Sequence, residues 1–223
     1  MNKNTRLSLI LLFFVALIIA GTFFYKIKHP AVGVTKNFTL HTAVKIDGTV
    51  LDKPRTISSF TLTDGNNQPF TLNNLKNHWT MMFFGFTNCP LACPTSLAAL
   101  NRMDTILRAQ LPANLIPQVV MVSVDPERDT VAKMKEYVTT FNKSFVGLNG
   151  TPAATKEIAD QLNVVYAKIV SPDGSYTMSH SAEVMLVDPN GKLRAFFAYP
   201  HKASVMAHDY EAILSSVYGK KFQ

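Results

Sequence analysis

From Trp79 to Phe86 the chain is an almost unbroken apolar run, Trp79-Thr80-Met81-Met82-Phe83-Phe84-Gly85-Phe86. A half-solvated strand alternates polar and apolar side chains. A run without alternation reads as a strand buried on both faces, as in the middle of a sheet covered by helices. This segment therefore points to a layered α/β architecture. The residues after it agree. Asn88-Cys89-Pro90-Leu91-Ala92-Cys93-Pro94 leads into Thr95–Leu111, where Leu97, Leu100, Met103, Ile106 and Leu107 form one helical stripe. Pro94 suits the first helical position, because proline has no N–H to lose there, and Cys93 is then the expected N-cap.

The other elements follow from local signals. Ser59–Thr63 and Gln68–Leu72 flank the turn-rich Asp64-Gly65-Asn66-Asn67 and read as a hairpin. Leu115–Val124 is a second buried strand, Thr130–Phe141 is helical, and Phe145–Leu148 is a short strand. Pro152–Leu162 reads as a helix capped by Thr151. Val164–Val170 is strand-like, and Ser175–Ser181 reads as a polar loop. Ala182–Val187 and Leu193–Ala198 form a hairpin around Asp188-Pro189-Asn190-Gly191, and Lys202–Tyr218 is a closing helix. The order is a β-hairpin, then βαβ with extra elements, then ββα. With the cysteines where the first central strand meets its helix, this is the plan of a thioredoxin-like fold with an N-terminal β-hairpin extension.

Ahead of this domain, Leu7–Tyr25 is nineteen residues without a charge, long enough to cross a bilayer core as a helix. A cleaved signal peptide has a shorter core and a small-x-small site. Here Ile18 precedes Ala20 by two, and Phe23-Phe24-Tyr25 continues the run, so an uncleaved transmembrane anchor is expected. Lys3 and Arg6 flank one side and Lys26 and Lys28 the other, too even a balance to orient the helix. The expected divisions are an anchor at 1–28, a stem and first strands at 29–57, with Phe38–Val44 alternating like a strand, and the thioredoxin-like domain at 58–223. The formal charge is +7, and it is +5 without Lys3 and Arg6. The remaining lysines and arginines are scattered, with no basic stripe, which argues against a nucleic-acid partner.

Cys89 and Cys93 are the only cysteines in 223 residues. The N–H groups and dipole of the following helix favour a thiolate, which is both a nucleophile and a soft-metal ligand. Two chemistries are open: dithiol–disulfide redox, or a thiophilic metal such as Cu(I). A purely structural disulfide or a pair of buried, inert free cysteines is the plain alternative, but closing so short a loop constrains the unfolded chain little. Zinc sites need four ligands and usually a second Cys/His pair nearby. Ligands in open α/β sheets gather beyond the carboxyl ends of the strands. Trp79–Phe86 delivers the cysteines there and Leu115–Val124 delivers Asp125, while the segment before Ala182 can bring His180 to the same end. Two thiolates and one imidazole suit copper. Met178 is an axial candidate, with an ordinary packing methionine as the plainer reading.

The chain resembles the Sco/SenC family of thioredoxin-like copper-binding proteins. The matching pieces are Gly48-Thr49-Val50-Leu51 with Pro54-Arg55, Phe60–Asp64, Phe84–Pro90 with Cys93-Pro94, and Val122-Ser123-Val124-Asp125-Pro126-Glu127-Arg128-Asp129-Thr130, followed by Ser179-His180-Ser181 and Leu186–Gly191. The resemblance spans roughly residues 46–218. It implies Cys89, Cys93 and His180 as ligands of one copper, Cu(I) or Cu(II), with Asp125 near the metal end or, alternatively, capping the segment that leads into the Thr130 helix. It implies delivery of copper to the binuclear copper site of cytochrome c oxidase, a thiol–disulfide reductant as a second partner, and a periplasmic domain anchored in a bacterial inner membrane. Two positions depart from the family pattern. Leu91 stands where members often have an acid, and Ser179 where they often have Asp. Restoring Asp at 179 is expected to tighten Cu(II) binding more than Cu(I). The competing function is a thiol–disulfide oxidoreductase that reduces a metalloprotein client, which needs the cysteines but not His180. The three-residue gap between the cysteines counts against general oxidoreductase activity, and the threonine arrangement of a peroxiredoxin is absent.

Overall fold

The apolar run becomes the centre of the molecule. The structure, a computed structural model, describes residues 46–219, so the expected Leu7–Tyr25 span and Phe38–Val44 strand lie outside it. The strands described are β1 (Thr49–Thr56), β2 (Thr61–Asp64), β3 (Pro69–Thr71), β4 (Thr80–Gly85), β5 (Gln118–Ser123), β6 (Val146–Asn149), β7 (Tyr166–Val170), β8 (Tyr176–His180), β9 (Val184–Val187) and β10 (Lys192–Phe197). The α-helices are α1 (Ala92–Gln110), α2 (Val131–Phe141), α3 (Pro152–Gln161) and α4 (Ala203–Tyr218). Among the described residues, no helix is long and apolar enough to cross a membrane.

Eight strands form one mixed sheet in the order β1-β10-β9-β4-β5-β6-β2-β3. β4, β5 and β6 run parallel, and the other pairings are antiparallel. Every residue of β4 is buried, as a strand covered on both faces requires. The expected β2–β3 hairpin joins the sheet at one edge through β6. β1, in the segment read as stem and first strands, is the opposite edge strand and pairs with β10. Helix α1 packs against α4, and α2 against β6. Leu97, Leu100, Met103 and Leu107 on the stripe of α1 are buried, whereas Ile106 is only partly so.

Two local readings differ from what formed. Ser175–Ser181 is not a loop: Tyr176–His180 is strand β8, paired with β7 in a separate two-stranded sheet. Its polar composition hides a true alternation, with Tyr176, Met178 and His180 partly buried and Thr177 and Ser179 exposed. Helix α1 begins at Ala92, with Leu91 rather than Cys93 at the N-cap, so Cys93 lies within the first turn. Pro94 does not fix the start, because none of the first four helical N–H groups has an intrahelical partner and proline is harmless at any of the earliest positions.

Candidate metal centre

Two segments meet beyond the carboxyl end of β4. The chain leaves β4 at Gly85, turns through Thr87–Pro90 and enters α1, which places Cys89 and Cys93 on either side of the helix start. At the start of β9, Val184 pairs with Phe83 near the end of β4, so the chain entering β9 brings His180 to the same place. One ligand atom from each of Cys89, Cys93 and His180 lies within 4.8 Å of the other two. Both cysteines are free thiols, Cys93 buried and Cys89 partly exposed.

The local hydrogen bonds set the chemistry of each donor. His180 Nδ1 is 2.8 Å from the Ser181 carbonyl oxygen. A carbonyl only accepts, so Nδ1 carries the proton and Nε2 is bare. That bare nitrogen is 3.7 Å from Cys93 Sγ. The ring stands edge-on to Phe83 and Phe86, with centroids 6.2 and 5.9 Å away. Burial pushes the His180 pKa below its ordinary value, opposed in part by the Ser181 hydrogen bond and by Glu183, so the ring is neutral at pH 7. The Cys93 N–H donates to Cys89 Sγ at 3.4 Å, and thus Cys89 supplies the acceptor that no N-cap side chain provides at this helix start.

Cys93 behaves against expectation. Its position at the start of α1 favours a thiolate, yet burial pushes the thiol well above its ordinary value, and a backbone hydrogen bond at Phe86 offsets this only in part. Desolvation of a charge inside the core outweighs the helix-terminus effect. The sulfur fits because residue 85 is glycine: a Cβ there would lie 2.8 Å from Cys93 Sγ and 2.8 Å from a Phe83 ring carbon.

Asp125 is not one of the converging donors. Its buried carboxylate accepts from Arg128 Nε at 2.5 Å and from the Tyr176 hydroxyl at 2.9 Å. Thr130, not Asp125, caps α2, its Oγ accepting from the Lys133 N–H. Met178 is partly buried against the core, the plainer of its two expected roles. Ser181 and Gly85 were missed as site residues, and so was the contact between Arg128 and Tyr176. Ser181 acts through its backbone carbonyl and Gly85 through the absence of a side chain, neither of which leaves a compositional mark. Arg128 and Tyr176 are 48 residues apart in sequence.

Residues 49–215 match the family described as SCO1/SenC. The chain belongs to that family. A SCO2-like protein of Rickettsia prowazekii is 36% identical over 148 residues, covering 66% of this chain and 71% of that protein. Among solved structures, Bradyrhizobium japonicum ScoI with copper bound is 36% identical at a TM-score of 0.61, covering 70% of this chain and 97% of that one. Apo Sco1 from Thermus thermophilus is 34% identical at a TM-score of 0.66, covering 76% and 97%. The mixed sheet and its helices are the thioredoxin-like Sco fold.

Proposed function

We propose that this Sco/SenC member binds one copper ion per chain through Cys89, Cys93 and His180 and acts as a copper chaperone in the assembly of cytochrome c oxidase. The observation that carries the reading is the convergence of two sulfurs and a bare, neutral imidazole nitrogen within 4.8 Å. The donor set fits the metal: thiolates select Cu(I), imidazole suits copper in either state, and among the described residues no carboxylate belongs to the cluster. Copper bound to the Bradyrhizobium japonicum neighbour supports the same reading. In this proposal the receiving partner is the subunit that carries the binuclear copper site. Leu7–Tyr25 holds the domain at the periplasmic face of a bacterial inner membrane, and a thiol–disulfide reductant keeps both cysteines reduced.

A reductase reading draws on the half-exposed Cys89, a sulfur that a client disulfide can reach, with Cys93 behind it. The raised Cys93 thiol does not separate the two readings, since exchange and copper ligation both need the thiolate; the convergence of His180, which a reductase does not need, favours copper. Copper titration of the reduced protein tests the proposal. One equivalent is expected for the wild type and none held tightly after Cys89→Ser with Cys93→Ser. Undiminished binding by that double variant would sink the site. The anchor is tested separately by carbonate extraction of membranes, in which release of the full-length protein would overturn it.

A further inference from the structure

We propose that Arg128, working with Asp125 through Tyr176, is a positioning residue that grips the β7–β8 hairpin and sets the pose of His180. This rests on the reading of His180 as a copper ligand.

The hairpin needs such a grip. Among the described residues β7 and β8 pair only with each other, so no ladder of the eight-stranded sheet holds them. The inward face of β8 carries Tyr176, Met178 and His180 in alternation, and on β7 Tyr166, the ladder partner of His180, also packs on the core at the near end. Met178 packs on the core in the middle. Tyr176 is four residues from His180, about 13 Å along an extended strand, and is the far anchor point.

At that point one loop supplies the contacts. The Arg128 guanidinium carbon is 3.7 Å from the centroid of the Tyr176 ring. Arg128 Nη1 donates to the Tyr176 carbonyl oxygen at 2.9 Å, and Nε donates to Asp125. The Tyr176 hydroxyl donates to the other Asp125 oxygen at 2.9 Å. Lys168 of β7 lies 4.0 Å from the same ring centroid and 2.6 Å from Glu127. A planar guanidinium can stack on a ring while its fork donates in two directions; an ammonium cannot. The loop is itself tied to the sheet, because the fully buried Asp129 carboxylate accepts from Ser123 Oγ at 2.8 Å and from the Thr87 N–H at 3.1 Å. A chain of contacts thus runs from the sheet through residues 125–129 to Tyr176, and along a stiff strand to His180. Neither Arg128 nor Tyr176 is among the three converging donors.

A double-mutant cycle on the reduced full-length chain tests this, using copper competition, the Cys89–Cys93 potential and amide exchange of the metal-free protein. Arg128→Ala is expected to weaken copper binding about tenfold to a hundredfold, the range known for groups that orient a ligand, with the dithiol potential unmoved. In a His180→Ala background the same change should cost nothing further, because its effect travels through the imidazole. Arg128→Lys should recover only part of the loss. Without metal, the Tyr176–His180 amides should exchange faster in Arg128→Ala while those of α1 do not. Wild-type affinity in Arg128→Ala, or an equal loss with and without His180, overturns the proposal. If wild type and His180→Ala bind copper alike, the copper reading has failed instead. Exchange then decides the grip, and unchanged Tyr176–His180 protection overturns it. Should Arg128→Ala not fold, Tyr176→Leu removes the ring but keeps the Asp125–Arg128 pair, and the same outcomes apply to it.

Discussion

At Cys93 two influences on one sulfur oppose each other. A helix start favours an anion by at most about 2 kcal/mol, whereas burial disfavours it more, and the thiol stays protonated in the metal-free protein. A metal must displace that proton. Apparent copper affinity should therefore rise with pH, about tenfold per unit for each proton released, in competition titrations between about pH 6 and 8. A flat profile would contradict a protonated Cys93. The room for that sulfur is tested by Gly85→Ala, whose new methyl would meet Cys93 Sγ and Phe83 at 2.8 Å. Overpacking of this kind costs about 1–3 kcal/mol, and copper binding should weaken with it; unchanged urea midpoints and affinity would refute the close fit. Ser179 sits on the exposed face of β8, opposite His180. An aspartate there would act only through solvent, so Ser179→Asp should change Cu(II) affinity by on the order of twofold, less than the family pattern implies. A tightening of tenfold or more would mean that the carboxylate reaches the site.

Between elements, Asp129 joins the loop after β4 to the loop after β5. Its buried carboxylate accepts from the Thr87 N–H and hydroxyl and from Ser123 Oγ, with Lys133 Nζ 3.8 Å away. Removing it leaves several donors without a partner in a closed space. Asp129→Ala should cost about 3 kcal/mol or more, read as a lowered urea midpoint with an unchanged slope. A loss below about 1 kcal/mol, the level of an ordinary surface substitution, would show that water satisfies these donors. The helix caps at the same scale are simpler. Thr130 and Thr151 each accept from an N–H three residues on, as expected for local hydrogen bonds.

For the whole molecule, burial of titratable groups defines a pH window. His180 and His201 are both held below the ordinary 6.5, chiefly by burial. The unfolded chain takes up protons near 6.5 and the fold resists them, so their contribution to stability is full above that pH and is lost as pH falls below it. Cys93 gives the opposite limb. Its thiol ionises near 9.0 when unfolded and stays neutral when folded, so stability falls as pH rises past about 9. The reduced, metal-free protein should show a plateau of urea midpoint between about pH 6.5 and 9 and a decline on each side. The Cys89–Cys93 disulfide form should lose the limb that begins near 9, since it has no thiol to ionise. An oxidised protein with the same alkaline limb would remove Cys93 as its cause.

Much of this molecule is written in short-range patterns. The apolar run is β4, the Asp188–Gly191 turn joins β9 to β10, and Thr151 caps α3 where the neighbouring residues predict it. The three donors were also legible, because cysteine and histidine carry their chemistry in their side chains. What required the folded chain depends on distant or silent groups. Tyr176–His180 is strand because β7 pairs with it, and Asp125 meets Tyr176 across 51 residues. The His180 tautomer follows from a backbone oxygen, and Cys93 has space because Gly85 lacks a Cβ. The order of residues decides which donors exist. Their separation, protonation and orientation arise only when packing excludes water and brings remote segments together, for these are properties of the surroundings and not of any one residue.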